Sequence, residues 1–208
     1  MHRETVRRLS RLVKLLVENY DAGVAGDFDA GIPPITRFQS VDDVEQIANN
    51  LELASGLGLT GPLVEMVGVF YELALNAVEH SQWAGGYYVT RADNNIVGSV
   101  EHTVGIADCG IGIPASLRRN SAFADVLNDP DAIALATDLH VTGTGEAHRG
   151  IGLDHVMNVV KSLSGSLTII SAGGSLNVEP GGAIMKGNLE GSERLAGTVA
   201  VVTISVPA

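Results

Sequence analysis

Polar residues interrupt the largely apolar segment from Thr60 to Ser81, and three of them are regularly spaced. Glu72, Asn76 and His80 follow one another at intervals of four residues, and they share one helical face because each step turns the helix by only about 40°. Burying such groups without partners costs roughly 1–3 kcal/mol for each unsatisfied group. We expect either a polar ligand above this face or a solvent-facing stripe of an amphipathic helix, and the spacing alone leaves both open.

A second candidate group ends a predicted strand, in the segment DCGIGIP from Asp108 to Pro114. The carboxylate of Asp108 can accept a hydrogen bond from an exocyclic amine, and glycines at positions 110 and 112 let the backbone approach a ligand closely. An ordinary tight turn explains the same pattern. The segment therefore favours a ligand site only in combination with the other groups.

A third candidate group combines Gly143-Thr144-Gly145 with the run RGIGL from Arg149 to Leu153. The run leads directly into a predicted helix, whose first N–H groups and positive dipole end favour an anion. This arrangement predicts a phosphate site that needs few cations, and the alternative is a flexible linker followed by a helix cap.

Three other glycine motifs do not fit these residues. A Walker A loop requires Lys followed by Ser or Thr, and neither follows Gly150. The dinucleotide-binding fingerprint opens a helix after a strand, whereas the turn at Gly110 continues into Pro114. The chain also contains no G-x-S-x-G nucleophile elbow.

The charge of the chain is negative and unevenly distributed. The 208 residues include 13 Lys and Arg against 24 Asp and Glu, which gives a net charge of −11. This balance argues against a nucleic-acid partner. Residues 1–14 hold five basic residues and one acid, a charge of +4, so the remainder carries −15. A polyanionic ligand would then bind through backbone N–H groups, a few cations and a metal.

Composition also sets expectations for compartment and fold size. No apolar run approaches the roughly 18 uninterrupted residues of a spanning helix, and the N-terminus does not resemble a secretory leader. We therefore expect a cytoplasmic protein with no membrane insertion. Cys109 is the only cysteine, which excludes an intrachain disulfide. The length fits one compact domain.

The N-terminal residues 1–22 form a predicted helix with a seam of apolar residues at spacings of three and four. The members of this seam are Val6, Leu9, Val13, Leu16 and Tyr20. Two heptads are compatible both with a homodimer through residues 1–20 and with a helix packed on its own domain. A Gly- and Pro-rich loop at 23–34 separates this helix from a domain at 35–208.

The predicted helices and strands of that domain occur in groups along the sequence. Ser40 is a candidate N-cap for a first helix, and a long apolar helix follows up to about Ser81. A hairpin comes next, with its turn at Asp93, Asn94 and Asn95 and its second strand ending at Asp108. Residues 114–149 form a predicted lid that contains one short helix after Asn128 or Asp129.

The remaining elements are a helix, several strands and a possible further hairpin. Apolar periodicity predicts a helix from Leu153 to Leu163 that Gly165 ends. Two β-rich runs follow, with a Gly-rich excursion between them that could hold the hairpin. Grouped helices and strands indicate an α+β fold, a two-layer sandwich with a mixed, mostly antiparallel sheet and helices on one face.

Taken together and in order, ELALNAVEH from Glu72, DCGIGI from Asp108 and RGIGL from Arg149 resemble the N, G1 and G2 boxes of the GHKL ATPase superfamily. This superfamily includes gyrase B, histidine-kinase catalytic domains and anti-sigma serine kinases. The resemblance covers residues 40–207 and implies the Bergerat ATP-binding fold, in which ATP lies beneath a mobile lid.

The resemblance also implies roles for individual residues. Asn76 would be the metal ligand for Mg²⁺, Glu72 would polarise the attacking water or acceptor hydroxyl, and Asp108 would receive the adenine amino group. Gly110 and Gly112 would make room for the base. Further cofactor-binding positions implied for ATP are His80, Ile113, Arg149, Gly150, Ile151, Gly152, Leu153 and Thr198.

The function that follows from the resemblance is that of a stand-alone, histidine-kinase-like module. It would transfer the γ-phosphoryl group of ATP to a protein substrate or regulatory partner. The alternative is an ATP-gated conformational switch that captures a partner with little or no transfer. The identity of the phosphoacceptor, Ser, Thr or His, is left open by the sequence.

Overall fold

The structure is a computed structural model that describes residues 6–7, 10, 35–54, 61–81, 85–96, 98–125, 128–138 and 152–207. Its helices are α1 (Val41–Ala54), α2 (Gly61–His80), α3 (Ile113–Leu117), α4 (Asp129–Ala136) and α5 (Gly152–Ser162). Its strands are β1 (Thr36–Phe38), β2 (Gly86–Ile96), β3 (Ser99–Asp108), β4 (Ser166–Ala172), β5 (Gly174–Val178), β6 (Ile184–Asn188) and β7 (Leu195–Pro207).

The strands form one seven-stranded sheet in the order β1-β2-β3-β7-β4-β5-β6. Every strand pair in the described residues is antiparallel, so the expectation of a mixed sheet is wrong and the expectation of an α+β fold is confirmed. Strand β7 lies at the centre and pairs with β3 on one side and β4 on the other.

The core lies between the sheet and its helices. Alternate residues of the strands point to opposite faces, so Val104 and Ile106 of β3 face the helices whereas Ala107 faces away. Side chains of α1, α2, α4 and α5 all join the first of these clusters. Helices α1, α2, α4 and α5 therefore cover one face of the sheet, as the sequence predicts.

The opposite face of the sheet carries a smaller apolar cluster. Val6 packs against this cluster, as expected if the N-terminal helix lies on its own domain. The other four residues of the predicted seam lie outside the described residues, and dimerisation through 1–20 stays a prediction. The second cluster consists of Val89, Ala107, Leu195, Val199 and Val201, and Ile35, Cys109 and Ile170 also pack against it.

Helix α2 is the central helix of the core. Among the described residues it is the one helix long and apolar enough to meet the length and composition of a membrane span, and core helices of soluble proteins share those properties. Six of its side chains are buried against the sheet and neighbouring helices: Met66, Val69, Phe70, Leu73, Ala74 and Ala77.

Several element boundaries differ from the predicted ones. The predicted turn at Asp93 to Asn95 is wrong, because β2 continues to Ile96 through a register shift and the chain reverses near Gly98, whose φ is 82°. Helix α5 ends at Ser162, and after it Ser164 adopts a φ of 49° while the N–H of Gly165 donates to the Val160 carbonyl. A Cβ atom at Gly165 would lie 2.8 Å from the Thr203 carbonyl oxygen, so this glycine is needed for packing against β7.

The first part of the predicted lid contains packed secondary structure. Leu117 of α3 and Ile133 of α4 are buried, and Asn128 caps α4 by accepting the N–H of Asp131. Asp129 accepts hydrogen bonds from Gly173 and Arg118, at 2.9 Å each, which ties α4 to the β4–β5 turn. Residues 139–149 lie outside the described residues, and for them the lid stays a prediction.

Candidate functional site

The polar face of α2 lies beside the start of α5. Glu72, Asn76 and His80 are each partly buried, so this face is not a freely solvated stripe. A Cβ atom at Gly152 would lie 2.5 Å from Glu72 Oε2 and 3.5 Å from Asn76 Nδ2. The first turn of α5 therefore lies directly against these two side chains.

The two helices continue to pack closely beyond that point. A Cβ atom at Gly68, one turn before Glu72, would lie 3.3 Å from His155 Nε2 of α5. Helix α5 therefore runs along α2 in the opposite direction, with its N-terminus beside Asn76. The unpaired N–H groups of this helix start therefore lie near the polar face of α2.

Asp108 ends strand β3 on the helix-covered side of the sheet. Its Oδ1 accepts the N–H of Gly110 at 2.7 Å, and the backbone N–H and hydroxyl of Thr198 also donate to its carboxylate. Burial penalises the charged form more than these donors stabilise it, and the pKa of Asp108 is raised to about 7. A carboxyl group with this pKa takes up or releases a proton near neutral pH.

The glycines after Asp108 pack closely against other parts of the chain. A Cβ atom at Gly110 would lie 2.5 Å from the carbonyl oxygen of His80. Gly112 has a φ of 79°, and a Cβ atom there would lie 2.8 Å from Ser171 Oγ. Both glycines are thus in close contact with protein atoms, and their expected role in making room for a base stays a prediction.

Ser171 of β4 is a site residue that the sequence analysis missed. Its hydroxyl accepts the N–H of Ile113 at 2.9 Å, donates to the carbonyl of Gly197 at 2.9 Å and lies 3.1 Å from Thr198 Oγ1. The side chain is fully buried. Ser171 therefore joins the glycine turn to the sheet by hydrogen bonds. Its own segment, SLTIIS, contains no pattern that identifies it as a site residue.

Helix α2 connects the two halves of the candidate site. Its middle carries Glu72 and Asn76 against Gly152, and its end brings His80 against Gly110. Leu153 packs against the main core. Arg149, Gly150 and Ile151, together with the 143–145 glycine segment, lie outside the described residues, so their predicted phosphate contacts stay predictions. From the second and third predicted groups, the structure thus places Gly110 and Gly152 against α2.

The raised pKa of Asp108 predicts a pH dependence of stability. A folded-state pKa of about 7 against an unfolded value of 3.8 means that the folded chain holds the proton more tightly. The contribution of Asp108 to the free energy of unfolding is complete below about pH 4 and is lost as the pH rises to about 7. Between these values the free energy of unfolding falls with a limiting slope of about 1.4 kcal/mol per pH unit. Urea unfolding of wild type and Asp108→Asn across pH 4.5–8 should show this slope only in the wild type.

A control for this measurement is Asp125→Asn, which removes an exposed carboxylate. This variant should keep the wild-type slope. Parallel stability curves for wild type and Asp108→Asn would show that Asp108 titrates at the same pH in the folded and unfolded chains, and would contradict the prediction.

The structure is an α+β sandwich. A polar helix face, a buried aspartate and a helix start lie along one of its edges. Together these features define a candidate site for an anionic ligand with an amine-bearing end. No protein-family model matches the chain, and no curated protein matches it. Histidine kinase structures do match it by fold comparison.

Two solved structures illustrate this likeness. Full-length ShkA in complex with AMPPNP is 17% identical with a TM-score of 0.42, over 98% of this chain and 37% of ShkA. The histidine kinase domain of the Erythrobacter litoralis EL346 blue-light activated histidine kinase is 16% identical with a TM-score of 0.34, over 97% and 79%. The chain thus spans just over a third of ShkA. At TM-scores below 0.5, neither likeness carries an argument about the site.

Proposed function

We propose that the chain is an ATP-binding catalytic module of GHKL type that transfers the γ-phosphoryl group of ATP to a protein partner. The observation that carries this proposal is the convergence of two sites on α2: Glu72 and Asn76 beside Gly152, and His80 beside the Asp108 turn. At 1.5 Å per residue, these two ends are about 6 to 12 Å apart. A mononucleotide has a base at one end and phosphates at the other, so one molecule can occupy both.

The base end of the site is Asp108. Its carboxylate accepts hydrogen bonds from Gly110 and Thr198 and still has acceptor capacity, since an ionised carboxylate offers about four lone-pair sites. A purine amino group supplies the donor that fits this acceptor. The deep burial of Asp108 makes that hydrogen bond stronger than it would be in water.

The phosphate end is the start of α5. Its N–H groups and dipole attract an anion, but the nearby Glu72 carboxylate repels one. A divalent cation bound with the phosphates would offset this repulsion, and the amide oxygen of Asn76 is of the type that Mg²⁺ accepts alongside phosphate oxygens. The side chains present therefore fit Mg²⁺, with Asn76 as its protein ligand, and the metal would supply charge neutralisation.

The proposed transfer breaks the bond between the γ-phosphorus and its bridging oxygen and leaves ADP. The acceptor atom of the partner, a hydroxyl oxygen or an imidazole nitrogen, forms the new bond to phosphorus. Glu72 takes the proton that this atom releases, since its carboxylate lies at the phosphate end. Positioning and charge stabilisation provide most of the catalysis in such reactions.

The test of this proposal is calorimetry on the full chain. We expect saturable 1:1 binding of ATP that requires Mg²⁺, with an affinity at least about tenfold above that of either adenosine or inorganic triphosphate, because each half-ligand occupies only one end. Equal affinities for ATP and triphosphate would remove the base site from the proposal. No binding of any of the three would overturn it.

Transfer itself is tested by incubating the chain with γ-labelled ATP and a cell lysate. A protein that becomes labelled only with the wild-type chain identifies the acceptor. Acid-labile label indicates a phosphohistidine, and acid-stable label indicates a phosphoserine or phosphothreonine. ATP binding without any label transfer would favour the ATP-gated switch.

A further inference from the structure

Strand β6 is the last strand of the sheet, and within the described residues it pairs only with β5. It carries two large apolar side chains, Ile184 and Met185, that are each 50% exposed. They lie on opposite faces of the sheet, because consecutive strand residues alternate. The strand contains no proline, and its register with β5 has no bulge. It therefore lacks two of the features that commonly protect a sheet edge from pairing with another chain.

The backbone groups that β6 presents at this edge follow from the hydrogen bonds at its two ends. The N–H of Glu179 donates to the Ala183 carbonyl at 2.9 Å, and the N–H of Leu189 donates to the Gly173 carbonyl at 2.8 Å. Bonded and non-bonded pairs alternate along an antiparallel ladder, so the odd-numbered residues from 183 to 189 face β5. The N–H and C=O groups that point outwards are those of the even-numbered residues, Ile184, Lys186 and Asn188.

This edge is complementary to a second copy of itself. If two β6 strands pair antiparallel about a two-fold axis at Lys186, residue 184 of each strand faces residue 188 of the other. Each outward residue then belongs to a bonded pair, and such a pair exchanges two backbone hydrogen bonds. In the same register Met185 lies opposite Gly187 of the second copy, so the exposed side chain covers a position that has none.

The charges at the axis are compatible with this pairing. The two Lys186 side chains would face each other, and like charges in that position are unfavourable. Each lysine is already paired with an aspartate of α4, however, with Lys186 Nζ and Asp131 Oδ1 2.6 Å apart. The axis therefore carries two cations and two anions, which offsets the repulsion.

The space beside the axis is also sufficient. Helix α4 packs over β5, since a Cβ atom at Gly174 would lie 2.6 Å from the Pro130 nitrogen. With strands about 4.8 Å apart, the two α4 helices would be about 14 Å apart across the axis. This separation exceeds the roughly 8–10 Å between packed helices, so the helices do not prevent the strands from meeting.

We propose that β6 is a homodimerisation edge, at which two copies of this chain join their sheets by antiparallel pairing centred on Lys186. This inference does not depend on nucleotide binding. The strand contributes only 5 residues from each copy, and interfaces that bury less than about 1,200 Å² are usually transient. We therefore expect a reversible dimer with a dissociation constant of about 10–100 μM.

Sedimentation equilibrium on the full chain without nucleotide tests the dimer. Between about 1 and 500 μM, the average mass should rise from that of one chain towards that of two. Asn188→Pro removes one outward N–H from each copy and should raise the dissociation constant by about tenfold or more. Proline is tolerated where the N–H of an edge strand faces away from its own sheet, and circular dichroism checks the fold. Asn188→Ala keeps this N–H and should dimerise like the wild type.

Disulfide cross-linking tests the register. Residue 186 lies on the axis, where the two Cα atoms of a bonded pair are about 5.5 Å apart, and a disulfide spans this distance. Lys186→Cys should therefore form an interchain disulfide on mild oxidation. Asn188→Cys should not, because its two copies would be about 14 Å apart along the strands. The wild type, which contains Cys109 alone, is the background control.

The outcomes separate this inference from the proposed function. A mass of one chain at every concentration would overturn the inference and leave the proposed ATP site intact. A dimer that survives Asn188→Pro and does not cross-link through Lys186→Cys would also overturn it, and would favour contact through residues 1–20. Equal cross-linking of the two cysteine variants would contradict the register. A dimer with these properties in a protein that binds no nucleotide would refute the proposed function only.

Discussion

Asn76→Ala is expected to lower the Mg²⁺-dependent affinity for ATP by about 100-fold or more. The amide oxygen of Asn76 is the proposed protein ligand, and even outer partners of metal ligands change metal affinity by about 10 to 100-fold. Without it, the cation loses its proposed protein ligand and the Mg²⁺–ATP complex is held less firmly. Calorimetric titration with ATP at several Mg²⁺ concentrations measures the change, and binding of adenosine should be preserved.

A matched control for this change is Asn158→Ala on α5. Asn158 is exposed and bonds only to Asp154 in the described residues, at 3.0 Å, so its loss should leave the affinity for ATP unchanged. Asn76→Asp keeps an oxygen ligand and should retain Mg²⁺ dependence. An Asn76→Ala protein with wild-type affinity and wild-type Mg²⁺ dependence would refute the phosphate end of the site.

Glu72→Gln is expected to reduce phosphoryl transfer by about 100-fold or more while ATP binding changes little. The amide has nearly the same shape and keeps the contact with Gly152, but it cannot take a proton from the acceptor. Positioned acid–base groups contribute about 10² to 10⁴-fold to rate. Single-turnover transfer with saturating ATP separates this loss from any change in affinity.

The control for this experiment is Glu65→Gln, which removes an exposed carboxylate from the same helix and should transfer normally. The result also separates the two candidate functions. If the chain is an ATP-gated switch, the Glu72→Gln protein still captures a partner in the presence of ATP. In that case the wild-type protein also transfers no phosphoryl group. Undiminished transfer by Glu72→Gln would exclude this carboxylate as the base.

The parts of the fold that the sequence predicted are those with long, periodic apolar patterns. Helices α2 and α5 and strand β7 are of this kind, and their existence needs no knowledge of distant residues. Strand β1 was missed because three residues carry too little pattern. The turn at 93–95 was placed wrongly because Asp and Asn favour turns locally, whereas pairing with β3 keeps Asp93 in the ladder opposite Glu101.

The site was predictable only where its residues cluster in sequence. Glu72 and Asn76 can be recognised by their spacing on an apolar helix, and Asp108 can be recognised by the glycines that follow it. Ser171 could not be found in this way, because its partners Ile113 and Gly197 are 58 and 26 residues distant. The close contacts that require Gly110 and Gly112 could likewise not be predicted from the sequence, since they depend on how the strands are ordered in the sheet.

The position of β7 at the centre of the sheet affects how the chain folds during synthesis. Before residues 195–207 leave the ribosome, β1–β3 and β4–β6 are two separate meanders with no strand to join them. Each then exposes an unpaired edge, which is a template for aggregation. Only arrival of β7 closes the gap and brings Thr198 to Asp108, so the candidate site and the sheet are completed in the same step.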